Sequence, residues 1–228
     1  MNIGIVFDAI PRMLGGIVMT FQLLLLSLAI GTMIAVLLLL MRISGRWWLS
    51  WPAQFYTYVF RGTPILVQIF IVYYGLPQFE WIRESIFWPI LRDPFGCAIL
   101  ALSLNTGAYL SEIFRGGVLA VERGLLEAGA ALGMSATHRF IYITTPLAIR
   151  IALPAYGNEV ISLMKSTALA STITLVDMTG IGRTIVAETF APYQVFLSLA
   201  IVYVAITWII QRSVKRLGPR PRWVRRTT

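Results

Sequence analysis

The residues of this sequence best equipped for chemistry are polar side chains set in long apolar stretches. Asn158, Glu159, Ser162, Lys165 and Ser166 recur at helical spacing, and so do Asn105, Thr106, Tyr109 and Glu112. At 100° per residue each set falls within an arc of about 120°, one stripe on one helix face. Carboxylates and amides gathered in apolar surroundings suit contact with a polar solute or with one another better than bond cleavage. Hydrolysis by Glu159 or Ser166 would need a base or metal partner, yet the one histidine, His138, lies in a separate polar segment and no H-E-x-x-H run occurs. The chain also has no G-x-x-x-x-G-K-[ST] phosphate loop, so it is not itself an ATPase.

The elements that must carry these stripes follow from composition. Of 228 residues, 57 % are hydrophobic and 13 % charged, a membrane balance. Met13 to Met41 is 29 residues without a charge, Gly62 to Phe79 is 18, Phe95 to Ser111 is 17 and Thr189 to Gln211 is 23. About 20 apolar residues cross a bilayer core, so each run is read as a span. The first run is about twice the length of a signal-peptide core and no small-x-small cleavage site follows it, so it is read as retained. The single Cys97, inside the third run, excludes an intrachain disulfide and is expected to pack.

A fourth crossing is concealed. Glu159 interrupts the apolar pattern after Arg150, but the basic ends require another passage between Arg150 and the last run, and Leu147 to about Ala170 supplies it. The expected spans are 13–41, 54–79, 95–115, 147–170 and 189–211, with a polar loop at 116–146 and a basic tail at 212–228. With the amino terminus outside and the carboxyl terminus inside, 13 Lys/Arg lie inside and four outside (Arg12, Arg83, Arg92, Arg183), as the positive-inside rule requires. The tail contains Arg212, Lys215, Arg216, Arg220, Arg222, Arg225 and Arg226, suited to anionic lipid rather than nucleic acid. Trp47, Trp48 and Trp51 mark an interface. Arg61-Gly62-Thr63-Pro64 predicts a kink in span two, with Arg61 reaching back to the cytoplasmic surface.

Asn105 lies ten residues from Phe95 and Glu159 nine from Arg150, which at 1.5 Å per residue puts both about 15 Å deep, near the middle of the bilayer. Both stripes must face the bundle interior or a partner, since lipid would leave their donors unsatisfied. They could line one solute pathway; the alternative is interhelical hydrogen bonding that only holds the bundle together. Glu112 and Lys165 lie nearer the cytoplasmic and outer interfaces.

The loop Glu122 to Pro146 reads as two short helices. One spans Val121 to Leu132 and is ended by Gly133; the second, from about Ala136 to Ile143, is capped by Ser135 and stops before Pro146. Such a pair can plug into a groove on another protein. Spans on either side pin it to the bilayer surface, which makes it a poor reader of nucleic acid.

Glu127-Ala128-Gly129, then Gly133, Ile143 and Pro146, resemble the EAA loop of permease subunits in bacterial ATP-binding-cassette importers. Arg61-Gly62-Thr63-Pro64 with Gln68, Leu104-Asn105-Thr106, Glu112-Ile113, and Asn158-Glu159-Val160 with Ser166-Thr167-Ala168-Leu169-Ala170 resemble the branch that moves polar amino acids, and within it the group for opines and basic amino acids (octopine, nopaline, arginine, histidine). The match covers about residues 13 to 212. It implies an all-α, polytopic type I importer permease of five transmembrane helices with a cytoplasmic coupling loop, one domain over 1–228, in the bacterial inner membrane. It further implies a second permease, similar or identical, two ATPase subunits and a periplasmic solute-binding protein. ATP and magnesium would belong to the partner subunits, with no cofactor or metal in this chain. The coupling residues would be Glu127, Ala128, Gly129, Gly133 and Pro146. The substrate pathway would comprise Thr63, Gln68, Asn105, Thr106, Tyr109, Asn158, Glu159, Ser162, Lys165 and Ser166. Two departures stand out: Gly129 replaces alanine, a helix weakening of about 1 kcal/mol, and Thr145 stands where leucine usually precedes the proline. A passive pore or assembly subunit is the rival reading.

Overall fold

The computed structural model describes residues 3–217, and all the secondary structure among them is helical. Helix α1 (Ile3–Leu14) precedes the long α2 (Ile17–Ile43), and α3 (Trp47–Gly62) is followed by α4 (Ile65–Phe70). From α4 the chain continues through a wide π turn (Ile71–Gly75) and a tight 3-10 turn (Leu76–Gln78) into two single-turn helices, α5 (Glu80–Arg83) and α6 (Trp88–Leu91). Then come α7 (Pro94–Leu119), α8 (Arg123–Ala131), α9 (Ala136–Arg139) and a π turn (Phe140–Thr144) leading into α10 (Thr145–Ser166). A 3-10 segment (Thr167–Ile173), α11 (Met178–Thr189) and α12 (Pro192–Leu217) complete the order.

Four helical segments are long and apolar enough to cross a bilayer: Ile17–Ile43, Pro94–Leu119, Ala136–Ile173 and Pro192–Arg216. The pair α3 and α4, bent by 104° at a short break, makes a fifth if it is a single broken span. The expected kink is therefore a sharp redirection. Its cause is local: proline disfavours helical backbone in the residue before it, and Thr63 and Pro64 are both extended, at φ −113°, ψ 143° and φ −63°, ψ 135°.

Between helices in lipid there is no hydrophobic driving force, so close backbone approach must hold the bundle. Helices α2 and α7 form its most extensive pairing. A Cβ on Gly107 of α7 would lie 2.9 Å from Ile34 Cβ and 2.7 Å from its Cγ2, so glycine sets that crossing. Leu24, Leu102, Met164 and Val195 join in one buried cluster, and Leu23, Ile69, Ala98 and Ile173 in another. Cys97 is fully buried, with its thiol donating to Leu91 O at 3.0 Å, which is the packing role expected of it.

Three departures from the sequence expectation are local. The stretch before the first span forms its own helix, α1, which packs against α11 and α12 and is tied to α11 by Arg12–Glu188 at 2.6 Å. Helix α7 runs on to Leu119, past the expected boundary at 115. The second loop helix does not stop before Pro146. A π turn carries it on into α10 without a break, so Pro146 lies within one continuous helical segment, just after the wide turn. Arg220, Arg222, Arg225 and Arg226 of the basic tail lie outside the described residues.

Candidate functional site

A cavity of about 310 Å³ opens where the break after α3 meets α7 and α10. Its wall takes Arg61, Thr63 and Pro64 from the break, Asn105, Thr106 and Tyr109 from α7, and Glu159, Ser162 and Ser166 from α10. The two polar stripes thus face each other across one space. Of the pathway candidates, Thr63, Asn105, Thr106, Tyr109, Glu159, Ser162 and Ser166 line it, while Asn158 and Lys165 are exposed and do not. Helix geometry separates them: Asn158 and Lys165 point about 100° and 120° away from Glu159 on the same helix, whereas Ser166 lies within about 20° of it.

Gln68 stands behind the wall and serves the break. A helix that ends inside a membrane strands its last carbonyls, and each must find a donor. Phe60 O accepts from Gln68 Nε2 at 2.9 Å and from Asn105 Nδ2 at 3.1 Å. Gln68 Nε2 also lies 3.1 Å from Thr63 O and 2.8 Å from Thr63 Oγ1, and its Oε1 accepts from Asn105 Nδ2 at 3.1 Å. Both amide hydrogens of Asn105 are therefore engaged, which is the bundle-holding role weighed against the pathway role in the sequence.

The two charged side chains on this wall are Glu159 and Arg61. The Arg61 guanidinium lies over the Tyr109 ring, 5.3 Å from the centroid. Sequence reasoning missed it as a wall residue because a span starting near Gln54 put it at the membrane edge. With α3 beginning at Trp47, Arg61 falls in the last turn, 14 residues along. Glu112, one turn beyond Tyr109 on α7, forms an ion pair with Arg42 of α2 and another with Arg115 at 2.8 Å.

The second candidate surface is the loop after α7. Helix α8 ends in paired closing bonds, Gly133 N to Ala130 O at 2.9 Å and Met134 N to Gly129 O at 3.0 Å, with Gly133 at φ +78°. Ser135 Oγ caps α9 by accepting from His138 N at 3.3 Å. Arg139 Nη1 donates to Leu126 O at 3.2 Å and fixes the two arms. Glu127, Ala128, Gly133 and Pro146 are exposed, and Leu132 is 83 % exposed at the tip. Gly129 is buried beside Ile143, whose Cδ1 a Cβ there would approach to 2.8 Å.

Comparison with known proteins decides what this arrangement belongs to. Residues 27–223 match the family described as binding-protein-dependent transport system inner membrane component. The chain belongs to this permease family. It is 50 % identical over 206 residues to the octopine transport system permease protein OccM of Rhizobium meliloti, covering 90 % of this chain and 84 % of that protein. The nopaline transport system permease protein NocM of Agrobacterium fabrum is 45 % identical over 215 residues, 94 % of this chain and 89 % of that one. The histidine/lysine/arginine/ornithine permease protein HisM of Escherichia coli K12 is 39 % identical over 206 residues, 90 % and 87 % of the two chains. A crystal structure of an amino acid ABC transporter with histidines superposes with a TM-score of 0.85 at 30 % identity, covering 95 % of this chain and 97 % of that one. The inward-facing MetNI methionine ABC transporter, at 17 % identity and TM-score 0.64 over 93 % and 94 % of the chains, shares the fold.

This permease is thus a multi-pass inner-membrane transport component rather than an enzyme, in a family of importers whose action depends on an ATPase and a substrate-binding protein. The all-helical expectation for its fold agrees with the permease structures it superposes on.

Proposed function

We propose that this permease moves a cationic amino acid or an opine inward across the membrane, with Thr63, Asn105, Thr106, Tyr109, Glu159, Ser162 and Ser166 along the substrate's path. The observation that carries the reading is the cavity wall on which Glu159 and Arg61 face one space. A carboxylate there suits an ammonium or guanidinium group, and a guanidinium suits the carboxylate that every amino acid and opine carries. Support also comes from relatives whose names specify octopine, nopaline and basic amino acids. Asn158 and Lys165 stand off this wall, and Gln68 supports it from behind.

The assembly would contain two ATPase subunits, a second permease (a copy or a paralogue) and a periplasmic solute-binding protein, with membrane lipid around the spans and the chain 1–228 forming one domain. ATP and magnesium would be held by the ATPases, and this chain would need no cofactor or metal. Glu127, Ala128, Gly129, Gly133 and Pro146 would form the coupling surface, drawn together as the ATPases close, so that the cavity faces outside and then inside. The amino terminus is then periplasmic and the carboxyl terminus cytoplasmic.

Reconstitution with the partner subunits and binding protein tests this. ATP-dependent uptake of octopine, nopaline or L-arginine is expected, reduced tenfold or more by Glu159→Gln. Uptake of L-glutamate in preference to all three, or uptake and preference indifferent to Glu159→Gln, overturns the assignment.

A further inference from the structure

A second cavity, of about 520 Å³, adjoins the first and is lined by Arg42, Gln54, Thr57, Tyr58 and Glu112. The two cavities share Arg61, Gly62 and Tyr109. These three residues form a border common to both, and on it the Arg61 guanidinium lies over the Tyr109 ring at 5.3 Å.

Helix α7 orders the two spaces along its axis. Asn105 and Thr106 face the first cavity, Tyr109 both, and Glu112 the second, each step one helical turn of about 5 Å. The chambers differ in charge chemistry. Glu159 in the first makes no ion pair within 4 Å among the described residues, whereas Glu112 in the second is held by both Arg42 and Arg115. A cationic solute therefore finds an available carboxylate in the first chamber, and in the second one already neutralised beside surplus arginine. The first is built to hold such a solute and the second to let it go.

This shared border lies beside the break in the helix pair. Arg61 sits in the last turn of α3, one residue before Gly62 and the extended pair Thr63–Pro64, where the chain turns by 104°. Nothing lies within 4 Å of where a Cβ on Gly62 would be. Tyr109 lies on the continuous α7. Rotation of α3 about the break lifts the guanidinium off the ring while leaving the ring in place.

We propose that Arg61 and Tyr109 form a gate between a binding chamber and a release chamber on its cytoplasmic side, opened by movement of α3 at the Gly62–Pro64 break. This rests on the importer reading for its direction, but its test does not need transport. A reporter thiol, Ser162→Cys on the first chamber, is introduced with Cys97→Ala into the assembled complex in inside-out vesicles. Its modification rate by a membrane-impermeant, positively charged methanethiosulfonate, added to the cytoplasmic face without nucleotide, reads passage through the gate. Tyr109→Leu and Arg61→Ala are expected to raise the rate tenfold or more over the parent, whereas Tyr109→Phe, which keeps the ring face, stays within twofold of it. Equal rates in all four proteins overturn the gate, as does acceleration by Tyr109→Phe equal to that by Tyr109→Leu. ATP-driven L-arginine uptake by the unmodified complex is measured alongside. Its absence sinks the importer reading, while unchanged thiol rates with intact uptake sink the gate alone.

Discussion

Gln68 and Asn105 carry the same amide group and both flank the break, yet their surroundings differ. Gln68 is buried behind the wall, with its amide directed at Phe60 O and Thr63, whereas Asn105 reaches the cavity from α7. Interhelical hydrogen bonds within membranes average well under 1 kcal/mol, but a stranded carbonyl in hydrocarbon costs more than a lost bond. Gln68→Leu leaves Phe60 O with Asn105 alone and removes the side-chain donor at Thr63 O, so it is expected to cost about 1–3 kcal/mol of stability. The check is the thermal transition of the detergent-purified complex, with the uptake KM measured on surviving protein. A raised KM with no thermal shift would show that the amide belongs to substrate instead. Arg61 teaches the same lesson from the opposite side: the residue type announced a charge at the membrane edge, and only its neighbours reveal that it lies over an aromatic ring at a cavity.

Among elements, the loop formed by α8 and α9 is where local sequence rules were most sufficient. Gly133 ends α8 because its backbone is left-handed, a conformation unfavourable by about 1–2 kcal/mol for residues with a Cβ. Ser135 caps α9 because a short hydroxyl reaches back to His138 N. Gly133→Ala is therefore expected to lower ATPase co-purification and uptake together by loosening the turn. Glu127→Ala, on the exposed face, should lower co-purification without altering the thermal transition of the permease. Pull-down of the ATPase from matched membranes distinguishes them, and full ATPase retention in both variants would remove this loop from the coupling surface. The end of α9 was less legible. Pro146 reads as a stop, but a π turn just before it carries the helix through into α10.

On the scale of the whole molecule, orientation and packing answer to different physics. Orientation follows from the charge bias across the spans, and alkaline phosphatase, active only outside the cytoplasm, reads it directly. Fusion within residues 79–93 is expected to be active, and fusion after Arg216 inactive. The reverse pattern would invert the proposed topology and put the coupling loop on the wrong side. Packing follows from surface shape. Small residues such as Gly107 allow α2 and α7 to approach until the α3 break, α7 and α10 enclose the cavity. The same assembly tucks α1 against α11 and α12, where an ion pair and Ser198 Oγ donating to Val6 O at 3.1 Å secure it.

The sequence by itself determined the membrane class, the all-helical fold, the two polar stripes and the turn at Gly133. Each depends on hydropathy, helical periodicity or backbone preference within a few neighbouring residues. Tertiary structure decided which members of those stripes share a wall, because the roughly 120° on α10 between Lys165 and Glu159 separates them only once the neighbouring helices fix which way the stripe faces. It also decided the 104° turn after α3, the separate packing of α1, and the pairing of Arg61 with Tyr109 across 48 residues of chain. These depend on which distant carbonyl, ring or backbone a side chain meets, and no local pattern records that.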